Sequence, residues 1–197
     1  MTKLTEFLAS TEIINWQEPE VIRLAAELSQ NVDGELAIAR TSFEWVRDNI
    51  QHCLDFNRNE VTCVASEVLR IGTGFCYAKS HLLAALLRAN RIPTGFCYQR
   101  LSLRGNGAPY CLHGLNAVYL TDVGWYRIDA RGNSDTVNAE FDPPHERLAF
   151  LTDDPGEADL PEVWPAPLPM VVEALRAGHS VDELMAMLPD VPVIGCE

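Results

Sequence analysis

The 197-residue sequence lacks any apolar run that approaches the roughly 18–20 residues a membrane-spanning helix requires. Its first residues carry one early cation and no apolar stretch of signal-peptide length, so we expect a cytoplasmic protein. Positive charge is also scarce, since 15 Lys and Arg face 28 Asp and Glu for a net charge of −13. Nucleic acids and anionic membrane surfaces attract cationic proteins, and we therefore expect neither as a partner.

The six cysteines lack the close spacing that zinc sites and thiol-exchange motifs use. None forms a Cys-x-x-Cys pair, and the chain is long enough to bury a core without disulfides. With no secretion signal, we interpret all six as reduced thiols. Cys111, His113 and Asp129 resemble part of a metal site but have no second closely spaced ligand pair, so we expect no metal and no cofactor.

Acidic residues and prolines concentrate toward the C-terminal end. Residues 1–150 carry a net charge of −4, whereas residues 151–197 carry −9 with Arg176 as their only base. Nine of the twelve prolines lie at or after Pro143. This shift predicts a compact domain over residues 1–145 and an acidic, proline-rich extension over residues 146–197 that holds only short helices.

Helical patterns come first along the chain and strand patterns follow them. Apolar periodicity and end signals predict four helices, at residues 19–30, 33–50 with Asp33 as N-cap, 65–70, and 76–89 with Asn90 in a left-handed cap. Strands rich in β-branched and aromatic residues are expected at 95–103, 113–120 and 124–130, and two short helices at 170–177 and 181–188. Helices followed by antiparallel strands indicate an α+β domain.

Cys76 stands out because it directly follows Gly72-Thr-Gly-Phe75, a flexible turn that leads into a helix. Unpaired N–H groups and the positive end of the helix dipole favour the thiolate, which is the nucleophilic form. The same N–H groups would hold an oxyanion if Cys76 attacked a carbonyl. The alternative is that Cys76 is a small buried core residue, as free cysteines usually are.

A nucleophilic cysteine requires an imidazole to accept its proton and a carboxylate to orient that imidazole. His113 and Asp129 lie on consecutive predicted strands, which would pair in an antiparallel manner. Because side chains alternate between the two faces of a strand, the two residues share a face only if the residue numbers of each cross-strand pair add up to an even number. A catalytic role therefore predicts a loop with an odd number of residues, or a bulge. A three-residue loop at 120–122, pairing Tyr119 with Val123, satisfies this condition, whereas loops of two or four residues do not.

The segment 70–93, in which Gly74-Phe-Cys76 opens a helix that ends at Arg88-Ala-Asn-Arg-Ile-Pro93, resembles the nucleophile segment of the transglutaminase-like superfamily. The runs 113–120 and 124–130 are similar to its histidine and aspartate strands, and the helix at 43–50 followed by Asp55 is also similar. The resemblance covers roughly residues 35–130 and implies a papain-like cysteine proteinase fold. In that α+β fold, N-terminal helices precede a central helix that begins at the nucleophile and packs on an antiparallel sheet.

The same resemblance implies Cys76 as nucleophile, His113 as general base and acid, and Asp129 as the orienting carboxylate. Family members often have an aromatic residue two or three positions after the histidine, and segment 114–116 lacks one. They usually also supply an oxyanion donor from an upstream Trp, Gln or Tyr. The candidates for that donor are Trp45, Gln51 and His52, with His52 standing where an aromatic residue is common. Three arginines either contact substrate at the site entrance or are solvated charges: Arg100, Arg104 and Arg131.

The expected function is thiol-dependent acyl transfer on an amide or ester, with a peptide, a protein or a small acyl-amide as substrate. Hydrolysis, as in a cysteine peptidase or amidase, is the preferred interpretation because water is always present. Transfer to an amine, as in a transglutaminase or N-acyltransferase, is the alternative. A binding module with the same fold and an unused triad is the competing class, and the sequence leaves the oligomeric state open.

Overall fold

The computed structural model describes residues 4–192, in which helices precede strands as the sequence predicts. The helices are α1 (Pro19–Ser29), α2 (Glu35–Asn49), α3 (Ala65–Ile71), α4 (Cys76–Ala89), α5 (Pro169–Ala177) and α6 (Val181–Ala186), with a 3-10 turn at Leu4–Leu8. The strands are β1 (Gln51–His52), β2 (Thr73–Gly74), β3 (Thr94–Ser102), β4 (Tyr110–Leu120), β5 (Gly124–Ile128), β6 (Glu140–Asp142), β7 (His145–Arg147) and β8 (Ala158–Asp159). Among the described residues, no helix is long and apolar enough to cross a membrane.

An antiparallel sheet of four strands, in the order β5-β4-β3-β8, forms one layer of the fold. Strands β3 and β4 pair along the whole of β3, from Thr94 opposite Val118 to Ser102 opposite Tyr110. Strands β1 and β2 form a separate parallel pair, and β6 and β7 form an antiparallel hairpin. The expected α+β class is therefore confirmed.

Helix α4 lies at the centre of the molecule, with 13 of its 14 residues buried. The even-numbered residues of β3 and β4 face it: Phe96 and Tyr98 belong to its apolar core, and Asn116 Nδ2 donates to the Ser80 carbonyl at 3.1 Å. A helix that is apolar on every side has to be enclosed by other elements. Helices α1, α2 and α3 pack against its remaining surface.

The C-terminal segment shares this core. Val171, Leu175 and Leu184, from α5 and α6, are buried in the same apolar cluster as α4. On the opposite face of the sheet, a second small cluster unites odd-numbered strand residues with later parts of the chain. Its members are Cys97, Leu115, Ala117, Leu148 and Val163. Both faces of the sheet are thus covered in part by residues that follow β5.

Arg88, near the end of α4, connects distant segments through its buried guanidinium group. Its nitrogens donate to the carbonyls of Ala9 at 2.8 Å, Thr94 at 2.7 and 3.1 Å, and Pro165 at 2.7 Å. The N-terminal segment, the start of β3 and the C-terminal segment therefore meet at one side chain. Burying a charge costs free energy unless the charged group is hydrogen-bonded, and these bonds offset that cost for the guanidinium group of Arg88.

Four predicted ends of helices and strands are wrong. The N-cap of α2 is Gly34 and not Asp33, because the chain there takes a φ of 84°, which favours glycine. At the end of α4, Asn90 stays at a φ of −86°, where its Nδ2 donates to Ala25 O, and Arg91 takes the left-handed conformation instead. Strand β4 begins at Tyr110, three residues before His113, and α6 ends at Ala186.

The loop between β4 and β5 has three residues, 121–123, which confirms the odd length that the sequence predicts. The predicted register is wrong by two residues, since Tyr119 pairs with Trp125 rather than with Val123. Gly124 takes a φ of 84° at the end of the loop, a conformation that disfavours a β-branched residue such as Val123. In this register His113 and Asp129 share a face and are offset diagonally, and Asp129 directly follows β5.

We expect Arg88→Met to lower the free energy of unfolding by about 3 kcal/mol or more, because it leaves buried carbonyls without donors. Urea denaturation followed by circular dichroism measures this loss. Arg23→Ala is the matched control, since the Arg23 side chain is 72% exposed and makes only a helical contact with Glu27. An unchanged midpoint in Arg88→Met would contradict the role assigned to Arg88.

Candidate active site

Cys76 is the first residue of α4 and is 4% exposed. The turn before it is held by two features: Gly72 takes a φ of 76°, and β2 pairs with β1 so that Gly74 lies opposite His52. Phe75 adopts an extended conformation as the N-cap and directs the chain into the helix. The turn therefore places the sulfur at the N-terminal end of α4 and brings His52 next to it.

His113 and Asp129 form a buried hydrogen-bonded pair, with 2.7 Å between His113 Nε2 and Asp129 Oδ2. The same carboxylate accepts backbone N–H bonds from Arg131 at 3.1 Å and Ala149 at 3.2 Å. Phe150 packs edge-on to the imidazole, with 5.0 Å between ring centroids. The carboxylate and the aromatic ring therefore fix the orientation of His113.

Cys76 lies within hydrogen-bonding reach of the His113 ring. Because Nε2 is bound to Asp129, Nδ1 is the nitrogen left for the sulfur. Burial by itself lowers the pKa of His113, but the Asp129 carboxylate and Cys76 outweigh burial and raise that pKa from 6.5 to about 10. Burial likewise raises the pKa of Asp129, and His113 outweighs this effect and lowers it below its ordinary value. The structure thus places Cys76 beside His113, and His113 beside Asp129.

The residue that directly follows His113 is a glycine for a steric reason. A Cβ atom at Gly114 would lie 2.6 Å from Cδ1 of Tyr77, which is the second residue of α4. The Tyr77 hydroxyl in turn donates to the backbone carbonyl of Leu112. Glycine at position 114 therefore leaves the space that Tyr77 occupies where α4 packs against β4.

Of the three oxyanion candidates, only His52 lies in the cavity at Cys76. Its ring packs against Phe75 with 5.3 Å between centroids. Burial lowers the pKa of His52 well below its ordinary value, with smaller contributions from the cations Arg131 and Lys79. The imidazole next to Cys76 is therefore neutral at neutral pH.

Gln51 and Trp45 lie elsewhere. Gln51 Oε1 accepts a hydrogen bond from Arg58 Nη1 at 2.8 Å, and Gln51 does not line the cavity. Trp45 is half-buried on α2, packs against the main core, and is also outside the lining. Adjacent residues of a strand point in opposite directions, which separates Gln51 from His52.

The cavity at Cys76 has a volume of about 410 Å³, and nine of its seventeen lining side chains are aliphatic or aromatic. Five lining residues come from the C-terminal segment, in a region where the sequence gives no catalytic signal: Phe150, Leu151, Glu157, Met185 and Leu188. Within residues 4–192, no group of three or more His, Cys, Asp or Glu side chains is arranged to hold a metal ion.

The three arginines considered at the site entrance have different surroundings. Arg131 lines the cavity and binds Asp55 through two hydrogen bonds of 2.7 and 2.9 Å. Arg100 instead binds Asp190 at 2.6 and 2.7 Å. Arg104 is exposed in the loop between β3 and β4, outside the lining.

Lys79 is a residue near the site that sequence reasoning missed. It is 1% exposed, and its ammonium group donates to the carbonyl of Ile50 and, at 3.4 Å, to that of Arg47. Burial lowers the pKa of Lys79 to about 7. These bonds hold the end of α2 directly before β1, and so help to place His52. The available signal was a lysine three residues after the candidate nucleophile, within an otherwise apolar helix.

A profile of the transglutaminase-like superfamily matches residues 22–130, more than half of the 197 residues. The chain belongs to this superfamily. A crystal structure from Cytophaga hutchinsonii, described as a "Putative Cysteine Protease", has a TM-score of 0.55 and 18% identity. The match covers 66% of this chain and 43% of that one. No curated protein matches.

A second crystal structure, of a "putative protease" from Parabacteroides distasonis, has a TM-score of 0.43 and 16% identity, with 71% of this chain and 30% of that chain covered. The transglutaminase-like chain therefore spans less than half the length of either structure. The superfamily match and the first structure confirm the expected papain-like cysteine proteinase fold. At the level of the family, they support a thiol-dependent enzyme.

We expect the His113 ring to remain protonated well above pH 6.5 and to lose its proton near pH 10. Because the pKa is higher in the folded state, protonated His113 stabilises the fold fully below pH 6.5, and this contribution is lost as pH rises through about 10. Two-dimensional NMR of the ¹⁵N-labelled imidazole measures the titration. Asp129→Asn removes the carboxylate and should lower the pKa of His113. Deprotonation of His113 near pH 6.5 in the unmodified protein would contradict the raised pKa.

Proposed function

We propose that this transglutaminase-like protein is a thiol-dependent acyl-transfer enzyme that hydrolyses an amide or ester. The observation that carries the proposal is that the side chains of Cys76, His113 and Asp129 lie next to one another, in this order, at the N-terminal end of a buried helix. A nucleophile, a base and an orienting carboxylate in this order are the elements of triad catalysis. The cavity beside the sulfur supplies room for an acyl group.

In the first half of the proposed reaction, the His113 imidazolium already holds the proton on Nδ1, and the Cys76 sulfur, as the thiolate of this ion pair, attacks the substrate carbonyl carbon. The carbonyl oxygen takes up the negative charge, and N–H groups in the first turn of α4 bind it. His113 then gives its proton to the leaving amine or alcohol as the carbon–heteroatom bond breaks. The acyl group remains on the sulfur as a thioester.

In the second half, His113 accepts a proton from water while the water oxygen attacks the thioester. The bond between the carbonyl carbon and the sulfur then breaks, the carboxylic acid leaves, and the sulfur is again paired with protonated His113. Asp129 stays ionised throughout and stabilises the imidazolium form of His113, in agreement with the raised pKa of His113 and the lowered pKa of Asp129.

His52 is the side chain we propose as the additional oxyanion donor. Its Nδ1 is buried, 3.9 Å from Asp55 Oδ1, so Nε2 is the nitrogen available to the cavity. A neutral imidazole with a proton on Nε2 donates a hydrogen bond without holding a full charge beside the imidazolium of His113. The low pKa of His52 supports that neutral form.

The test is the rate at which iodoacetamide alkylates each cysteine at neutral pH, followed by peptide mass spectrometry. We expect Cys76 to react at least tenfold faster than Cys111, because, of these two thiols, Cys76 has an imidazole as partner. Cys111 is a matched internal control: it lines the same cavity, and burial raises the pKa of its thiol to about 12. His113→Ala should slow the alkylation of Cys76 and leave Cys111 unchanged.

The proposal fails if Cys76 reacts no faster than Cys111, an outcome that would favour a binding module. Where Cys76 is reactive, incubation of a peptide ester with the enzyme in the presence of glycinamide identifies the acceptor. The carboxylic acid as the main product supports hydrolysis, whereas the glycinamide conjugate supports amine transfer. Cys76→Ala should form neither product above the uncatalysed rate.

A further inference from the structure

The cavity at Cys76 offers more room than a carbonyl group needs. Its volume of about 410 Å³ corresponds to on the order of a dozen water molecules. Three leucines at its edge stand out, since Leu54, Leu103 and Leu151 are 40%, 38% and 75% exposed. Large apolar side chains exposed around one opening are typical of a binding surface. Water released from these side chains would favour an apolar ligand group.

Besides His113, which is bound to Asp129, the charged side chains in the lining already have partners. Arg131 is bound through two hydrogen bonds to Asp55. Glu157 accepts backbone N–H bonds from Ser102 at 2.9 Å and from Asp153 and Asp154 at 3.1 Å. A charged substrate group that entered the cavity would lose its water without gaining an unengaged counter-charge from these two residues. The arrangement therefore favours an uncharged group.

One wall of the cavity comes from the C-terminal segment, through Met185 of α6 and Leu188 in the turn that follows. This segment is attached to the sheet next to the site. The N–H of Leu112, the residue before His113, donates to Pro189 O at 2.8 Å, and Asp190 binds Arg100 at 2.6 and 2.7 Å. The wall is therefore held in place at the level of the imidazole.

We propose that this cavity is the subsite for an uncharged apolar side chain of the substrate, next to the scissile carbonyl, and that Met185 and Leu188 determine which side chains it accepts. The substrate class is then a peptide or acyl-amide with a group of leucine or phenylalanine size at that position. The placement of the scissile bond rests on the proposed function. The preference of the cavity is a binding property, and it can be measured without catalysis.

The test uses the full chain carrying Cys76→Ala, so that binding is observed without reaction. The sequence has four methionines, and ¹³C-methyl labelling with Met185→Leu as reference assigns the Met185 signal. The protein is titrated with N-acetyl-leucinamide, N-acetyl-glycinamide and N-acetyl-aspartamide with a free side-chain carboxylate. We expect the leucine compound to shift the Met185 methyl with at least about tenfold higher affinity than the glycine compound, and the aspartate compound to bind no better than glycine.

Two variants of the wall sharpen the test. Leu188→Ala enlarges the cavity and should move the preference from the leucine compound to N-acetyl-phenylalaninamide. Leu188→Arg adds a cation and should raise the affinity for the aspartate compound while lowering it for leucine. Met187→Arg is the matched control, because Met187 is 42% exposed and does not line the cavity, and it should leave the order of affinities unchanged.

Equal affinities for the three compounds, or saturation without a change at Met185, would overturn the subsite. No saturation by the leucine compound up to its solubility would overturn it as well. These outcomes are distinct from failure of the proposed function. Fast alkylation of Cys76 together with equal affinities contradicts the subsite but not the proposed function. Slow alkylation together with the expected order of affinities contradicts the proposed function but supports the apolar subsite.

Discussion

The complete enclosure of α4 is the constraint on which the rest of the structure depends. A helix buried on every side must be surrounded, and its polar side chains must find partners inside the protein. Arg88 binds carbonyls of the N-terminal segment, β3 and the C-terminal segment, and Lys79 binds those at the end of α2. The central helix is therefore held by contacts from both ends of the described chain, and its first residue is Cys76.

The candidate site forms where separate elements converge on the N-terminal end of that helix. Strand β1 brings His52, β4 brings His113, and the residue after β5 is Asp129. The close approach of α4 to β4 depends on Gly114, which leaves space for Tyr77. The placement of Cys76 beside His113 thus depends on the packing between the helix and the sheet.

Several features of the fold and site were predictable because their signals are local. The turn before Cys76 and the helix that follows it are indicated by glycine positions and apolar periodicity. The odd length of the loop between β4 and β5 follows from strand alternation on the condition that His113 and Asp129 act together. The exact register was not predictable, because it depends on which residue takes the left-handed conformation, and Gly124 takes it. Asp33 likewise matched a cap pattern, but the backbone at Gly34 begins the helix differently.

By itself, the sequence determined the order of the main helices and strands and the position of Cys76 at a helix start. It gave the strand parity by which His113 and Asp129 share a face only on the condition that the two residues act together. These properties depend on residues near each other in the chain. Only the tertiary structure decided that His52, rather than Gln51 or Trp45, lies beside the sulfur, and that Met185 and Leu188 enclose the cavity. Contacts between residues more than twenty positions apart depend on how the elements pack, which composition and periodicity do not encode.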